Sequence, residues 1–442
     1  MLNLLFSHEQ LLHERFLQTD LGQLYLSIPF DQLAATIPSP KHAKSGKGSK
    51  PWFDVRGGIA LQFLKHYLCL SDDLLIQRIN TDWSMQCFCG ILLKPTEVIK
   101  DTNLPSYWRG YIGEHLDISS MQQIFACYWK PAISGSNLSS EDATCYESRM
   151  SYPTPVKLLW DCCNKVYLSY NSIRKIFKLR PSWCNYEARR KAFLNYQKAK
   201  KKIKKEERKL IKKLLKFLLT LLDLHQSIVT TKKIDLSSKQ KQQILTITTV
   251  YEQQHSKVYG EVEQIKDRIL SLSKPYLRPI VRGKETKTVE FGAKVNKLQI
   301  DGISFIEHFS YDAFNEGTRL QSTIGLHRQL FGKCSCHSAD KIYATNANRS
   351  YCSAQKIITN FFPKGKQKQA HLEQSKIMRV VLDKERATRL EGSFGNEKNH
   401  YLLQKVNARN AVTEKCWIFF GIMTANASII TNRRQAAIKQ AA

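Results

Sequence analysis

The run KAKKKIKKEERKLIKKLLK, from Lys198 to Lys216, holds eleven basic residues and two acidic ones. Extended to Leu224, it sets Ile203, Leu210, Leu214, Phe217, Leu221 and Leu224 at offsets 0, 7, 11, 14, 18 and 21. That spacing draws one apolar stripe along a long helix, with lysines around the rest of its surface. Such a helix needs an apolar partner for its stripe. The pattern ILTITTVYEQQHSKVYGEVEQIKDRILSL predicts that partner: a second helix returning antiparallel, around Ile244–Leu270. A solvated helical hairpin and an arm that tracks phosphates both satisfy the pattern, and the two are compatible.

The charge of the whole chain bears on the same question. Its 442 residues include 68 Lys and Arg against 38 Asp and Glu, a formal charge of +30. A field of that sign favours a polyanionic partner, nucleic acid before acidic membrane. MLNLLFSHEQ meets His8 and Glu9 before an apolar signal region develops, so no secretory signal is expected. CWIFFGIMTANASII, from Cys416, is interrupted by Thr, Asn and Ser and reads as a buried helix rather than a membrane span. Twelve cysteines are dilute in a chain of this length, which fits reduced thiols in the cytoplasm. The pairs Cys87/Cys89 and Cys334/Cys336, the latter followed by His337, lack the C-x-x-C spacing of a zinc motif.

Along the chain, residues 1–131 read as a helical domain suited to DNA binding or dimerisation. GGIALQFLKHYLCL, SDDLLIQRIN and SSMQQIFACYW have helical spacing, with Ser71 and Ser119 as expected N-caps and Ala43–Trp52 as a small basic loop. Residues 165–284 stand apart as a basic helical middle, and the texture then turns to that of a mixed α/β core over 285–442, with a basic C-terminal tail. KTVEFGAKVNKLQIDGISFIEHFSYDAF predicts two or more strands, followed by helices and short strands in alternation and a long late helix.

Three acids stand out by placement: Asp142 in EDATCYES, Asp340 in SADKIYATN, and Glu391 on the late helix. A small carboxylate set suits hard divalent cations, and two such ions can drive phosphodiester chemistry. Lys398 lies seven residues after Glu391, ~700° around an ideal helix and so nearly on the same face. Gly392 and Gly395 lie on the same helix, although each glycine costs a helix interior ~1 kcal/mol relative to alanine.

The blocks EDATCYESRMSYPTPVKLLWD, IDGISFIEHFSYDAFNEGTRLQ, ADKIYATNANRSYC and RLEGSFGNEKNHY together resemble those of bacterial insertion-sequence transposases with a DDE site. LKHYLCLSDDLLIQRINTDWSMQCFCGI resembles the helical region that precedes that domain. The resemblance implies a ribonuclease H-like sheet in which Asp142 ends the first strand, Asp340 follows on the later strand beside it, and Glu391 is the helix-borne third carboxylate. It further implies Mg2+ (or Mn2+) held by these three, Lys398 in contact with DNA, and the basic middle, 165–284, as an insertion between the first part of the catalytic core, 132–164, and its remainder, 285–442. The expected partner is double-stranded DNA, both element ends and target, bound by a homo-oligomer, most simply a dimer, in the bacterial cytoplasm and on the nucleoid. In the family an arginine often stands four residues before the glutamate and a tyrosine three before that. Ala387 and Lys384 occupy those positions here, leaving Arg386 and Arg389 as the nearest candidate DNA contacts. Lys201, Lys204, Lys205 and Lys212 are the insertion's candidates. A structure-selective nuclease on the same core, and an inactive DNA-binding relic or repressor of the element, are the alternatives.

Overall fold

The computed structural model describes residues 8–40, 51–180, 184–260, 265–281, 289–362, 364 and 369–441. It is mixed α/β with a helical majority. The chain forms two compact units, Met1–Arg149 with Ile280–Ala442, and Met150–Pro279.

The first unit is built on one mixed sheet. Its strands are β1 (Leu138–Ser148), β2 (Pro279–Val281), β3 (Val289–Ile300), β4 (Ile303–Ser310), β5 (Cys336–Ala339), β6 (Ile358–Thr359) and β7 (Lys405–Val406). The order is β2-β3-β1-β5-β6, with β4 also on β3 and β7 also on β1. β3 is antiparallel to both β1 and β4, whereas β5 and β7 run parallel to β1, and β6 parallel to β5. Asp301 and Gly302 turn β3 into β4, both at positive φ (48° and 79°), as a two-residue hairpin of this twist requires. Gly292 is needed for closeness instead: a Cβ there would lie 2.0 Å from the Tyr146 carbonyl oxygen on β1.

β1 was expected to end at Asp142, yet it runs on to Ser148, because its ladder with β3 continues to Glu147 opposite Gly292 and β7 adds on its other side. Its polar opening, Ser139-Ser140-Glu141, is buried all the same. Cross-strand partners make this possible: the Ser140 and Ser338 hydroxyls are 2.6 Å apart, and His337 lies 2.9 Å from Ser139 and 3.1 Å from Glu141.

Helices cover the sheet. Residues before the sheet share its core: Phe16, Phe63, Phe88 and Phe125 pack in one cluster with Val295, Phe305, Phe419 and Phe420. The apolar stretch after Cys416 lies in a helix, Ala411–Ala441, with Trp417, Phe419, Phe420 and Met423 buried. Two side-chain amides close the backbone of β4: Asn426 bonds Ser304 N and O, and Gln122 bonds Ile306 N and O. An edge strand left open would invite pairing with another chain. Ser71 caps Asp72–Ile79 as expected, but Ile118–Trp129 is capped by Asp117 rather than Ser119, since a carboxylate two residues earlier accepts from the free Ser119 and Ser120 amides. Of the Ala43–Trp52 loop, residues 43–50 lie outside the described residues.

Among its described residues the second unit has four helices: Pro155–Ile176, Tyr186–Lys198, Lys204–Thr231 and Ser238–Tyr259. Leu210, Leu214, Phe217 and Leu221 are buried, and their main partners are Val156, Leu159, Cys163 and Val166 of the first helix, with Ile247 and Val250 of the fourth. Ile203 leaves the stripe, because the helix starts at Lys204 and Ile203 precedes it, exposed. The predicted return helix stops at Tyr259, where Gly260 takes a left-handed C-cap. Residues 261–264 of that prediction lie outside the described residues.

Candidate active site

The parallel pairing of β1 and β5 ends at Glu141 opposite Ala339. Asp142 and Asp340 are the next residue of each chain segment. Both acids therefore stand at one point, where β5 stops and β1 continues. Asp340 is exposed and its Oδ1 accepts from Lys341 N at 2.7 Å. Asp142 is largely enclosed, and its Oδ1 accepts from Ala143 N at 2.8 Å. Burial drives the Asp142 carboxyl up to about 6, with Glu316 and Asp340 adding negative potential against the pull of Arg386.

Glu391 arrives from the other layer. The helix Gln369–Glu385 passes through a π-turn, Arg386–Leu390, into the helix Glu391–His400. Such bulges re-aim the residues that follow them. Here the bulge sets the Arg386 guanidinium between two of the three acids: Nη1 lies 3.4 Å from Asp142 Oδ2 and 3.0 Å from Glu391 Oε1. Arg389 points elsewhere, to Asp301 at 2.7 Å and Glu385 at 3.0 Å.

A buried polar clamp fixes this helix on the sheet. Lys297 is the Cα partner of Asp142 on β3, and its side chain is fully buried. It binds Glu397 at 2.5 Å and Ser393 at 3.1 Å, while the Tyr146 hydroxyl donates to the other Glu397 oxygen. Burial pulls the Lys297 ammonium pKa down, although Glu397 opposes it. One residue beyond Glu397, Lys398 donates to Thr144 Oγ1 at 2.9 Å, two positions along β1 from Asp142. Asp142, Thr144 and Tyr146 alternate onto one face of the strand, and the helix lies on that face. Glu391 and Lys398 are thus held over the same strand. At Gly392 and Gly395 a Cβ would meet nothing of the described residues within 4 Å.

Behind β1, the opposite face carries a second buried cluster. His337, with Glu141 and Ser139 as partners, feels burial pushing its pKa down, yet Cys334 and Glu141 carry it up to about 9. Neither cluster was read from the sequence. The signal for the first was present: Lys294 and Lys297 interrupt a run that otherwise reads as a buried strand.

The donors at the site are hard oxygens, the kind magnesium takes. Among the described residues no three His, Cys, Asp or Glu side chains are gathered to hold a metal ion. Arg386 stands between two of the acids as a cation of the protein's own. The four lysines of the second unit, Lys201, Lys204, Lys205 and Lys212, are exposed, and Lys212 lies over the Tyr259 ring at 5.3 Å. No helix among the described residues is long and apolar enough to cross a membrane.

Comparison with known protein families, curated proteins and solved structures finds no match.

Proposed function

We propose that the chain is a DDE transposase that cuts the ends of its own insertion element and joins the exposed 3′-hydroxyl to target DNA. The observation that carries the reading is the meeting of Asp142 and Asp340 at the end of a parallel strand pair, with Glu391 tied to Asp142 through one guanidinium. The antiparallel ladder β4-β3-β1, extended in parallel by β5 and β6, supports a ribonuclease H-like core.

Asp142, Asp340 and Glu391 would hold Mg2+, which supplies water activation and stabilisation of the leaving oxygen when bound. The chain's own residues do the rest. Lys398, beside Thr144, presents a cation to a phosphate next to the scissile one. The bare helix face at Gly392 and Gly395 lets a DNA backbone approach. Arg386 holds Asp142 and Glu391 in register without metal and must release at least one of them for the ion to enter.

The same arginine favours a second reading: a DNA-binding relic or repressor, in which the ion pairs close the site for good. Magnesium-dependent nicking and strand joining of element-end DNA separate the two. Alanine at Asp142, Asp340 or Glu391 is expected to abolish both steps while largely sparing binding. Parental cleavage by the Asp340 variant would remove it from the catalytic set, and absence of nicking by the parent chain would favour the relic.

A further inference from the structure

A cleft of about 860 Å3 opens in the first unit, away from the three acids. Its floor is a charge imbalance. Lys65 and Arg109, 4% and 3% exposed, share a single carboxylate, Asp72, at 2.6 and 2.8 Å. Both cations also lie over the buried Trp417 ring, at 4.9 and 4.7 Å. The neighbouring His66 adds no further charge, since burial lowers its pKa to about 3 and keeps the ring neutral. Arg109 Nε is buried and has no hydrogen-bond partner among the described residues. A buried charge without a counter-charge is costly, and an anion in the cleft would relieve it.

The rim is balanced and adds shape. Arg149 and Arg409 line the cleft together with Asp73 and Glu114, two charges of each sign, so the lining as a whole keeps the one positive charge of its floor in excess. Arg149 rests on Asn407 at 3.1 Å. Tyr107 is half exposed and nearly parallel to Tyr111, with ring planes 17° apart, which leaves a flat aromatic face at the mouth. One negative charge, a flat ring and a wall of amides and hydroxyls describe one ligand chemistry.

We propose that this cleft binds a phosphate ester bearing a planar base, either one nucleotide within a single strand or a free nucleotide. The volume lies in the range of small-ligand sites. Arg149 directly follows β1, the strand that carries Asp142, so a strand leaving the candidate active site along β1 reaches the cleft mouth. The binding itself does not depend on the transposase reading.

The test uses the full chain, with labelled dT10 followed by anisotropy, and AMP and inorganic phosphate followed by calorimetry at fixed ionic strength. The expected result is that Arg149→Gln with Arg409→Gln weakens dT10 or AMP at least about tenfold. Tyr107→Ala should weaken the same ligands about five- to tenfold, as loss of one stacked base does, without changing the affinity for inorganic phosphate. Loss of dT10 binding in the two cleft variants assigns the cleft to a strand, and loss confined to AMP assigns it to a free nucleotide. Unchanged affinity for both ligands in both variants overturns the proposal, as does binding of neither by the parent chain. Asp142→Ala should leave these affinities intact, so failure of the cutting reading and failure of this one are told apart.

Discussion

Lys297 stands directly opposite Asp142 in the β1–β3 ladder, yet its ammonium binds Glu397 on the overlying helix. The nearest buried cation on the sheet is thereby spent on holding the helix that brings Glu391, and Asp142 is left to Arg386.

The clamp should behave as a buried ion pair with one task. Glu397→Gln removes the counter-charge of a fully buried lysine and is expected to cost about 3–5 kcal/mol, read by urea unfolding. Replacing both by methionine should recover most of that stability. If Glu391 and Lys398 depend on the clamp, the double variant folds but loses metal-dependent cleavage. A double variant with full cleavage would show that the helix needs no anchor there.

Asp142 predicts a pH dependence in metal-free buffer. Its folded pKa of about 6 exceeds the ~3.9 of an unfolded aspartate, so the folded state holds the proton more tightly. The stability it contributes is complete below about pH 4 and is lost as pH rises through about 6, by about 2–3 kcal/mol at most. Asp142→Asn should flatten the unfolding free energy between pH 4 and 6.5. Matching slopes for parent and variant would mean that Asp142 ionises at no cost to folding.

His337 works in the same direction higher on the scale. Its folded pKa of about 9 is above the usual value of about 6.5, so its contribution is full below 6.5 and lost as pH rises through about 9. Cys334, drawn down to about 6 beside it, gains stability over the same window and offsets this loss in the parent, so melting temperature should fall from pH 7 to 9.5 in Cys334→Ser and less steeply once His337→Gln is added. A melt insensitive to this substitution across that range would assign the alkaline loss to other groups.

The lysines and the stripe of the second unit should separate cleanly. Glutamine at Lys201, Lys204, Lys205 and Lys212 is expected to weaken DNA binding and flatten its log–log salt slope, because fewer counterions are released. Lys212 also loses its contact with Tyr259, worth about 0.5–1 kcal/mol. Leu214→Ala, at a fully buried site, should cost ~2–5 kcal/mol and leave the slope alone. Unchanged affinity and slope in the lysine variant would make the insertion a structural or protein-contacting arm.

The helices were legible where spacing alone decides them. Leu210, Leu214, Phe217 and Leu221 lie on their stripe because a long amphipathic helix leaves them no other face. β1 was harder to read. Ser139, Ser140 and Glu141 look like a loop until Ser338 and His337 arrive from β5, almost two hundred positions away, to satisfy them. Asp142, Asp340 and Glu391 could be singled out in sequence, but not the guanidinium between two of them. Arg386 was visible as a nearby basic residue, and its aim depends on a π-turn that no local pattern of RATRL announces. The clamp partners Lys297, Tyr146 and Glu397 come from three separate segments, so no spacing could have joined them.

Gly292 and Glu147 are neighbours across the central ladder, and all of Met150–Pro279 lies between them in sequence. Topologically the second unit is the loop of a β-hairpin. An unstructured loop of that length would delay the closure of the ladder, because its ends must find one another by diffusion. A loop that folds by itself shortens the search. The site, which depends on the β1–β3 pairing, therefore waits on a contact between segments that the whole helical unit separates in sequence.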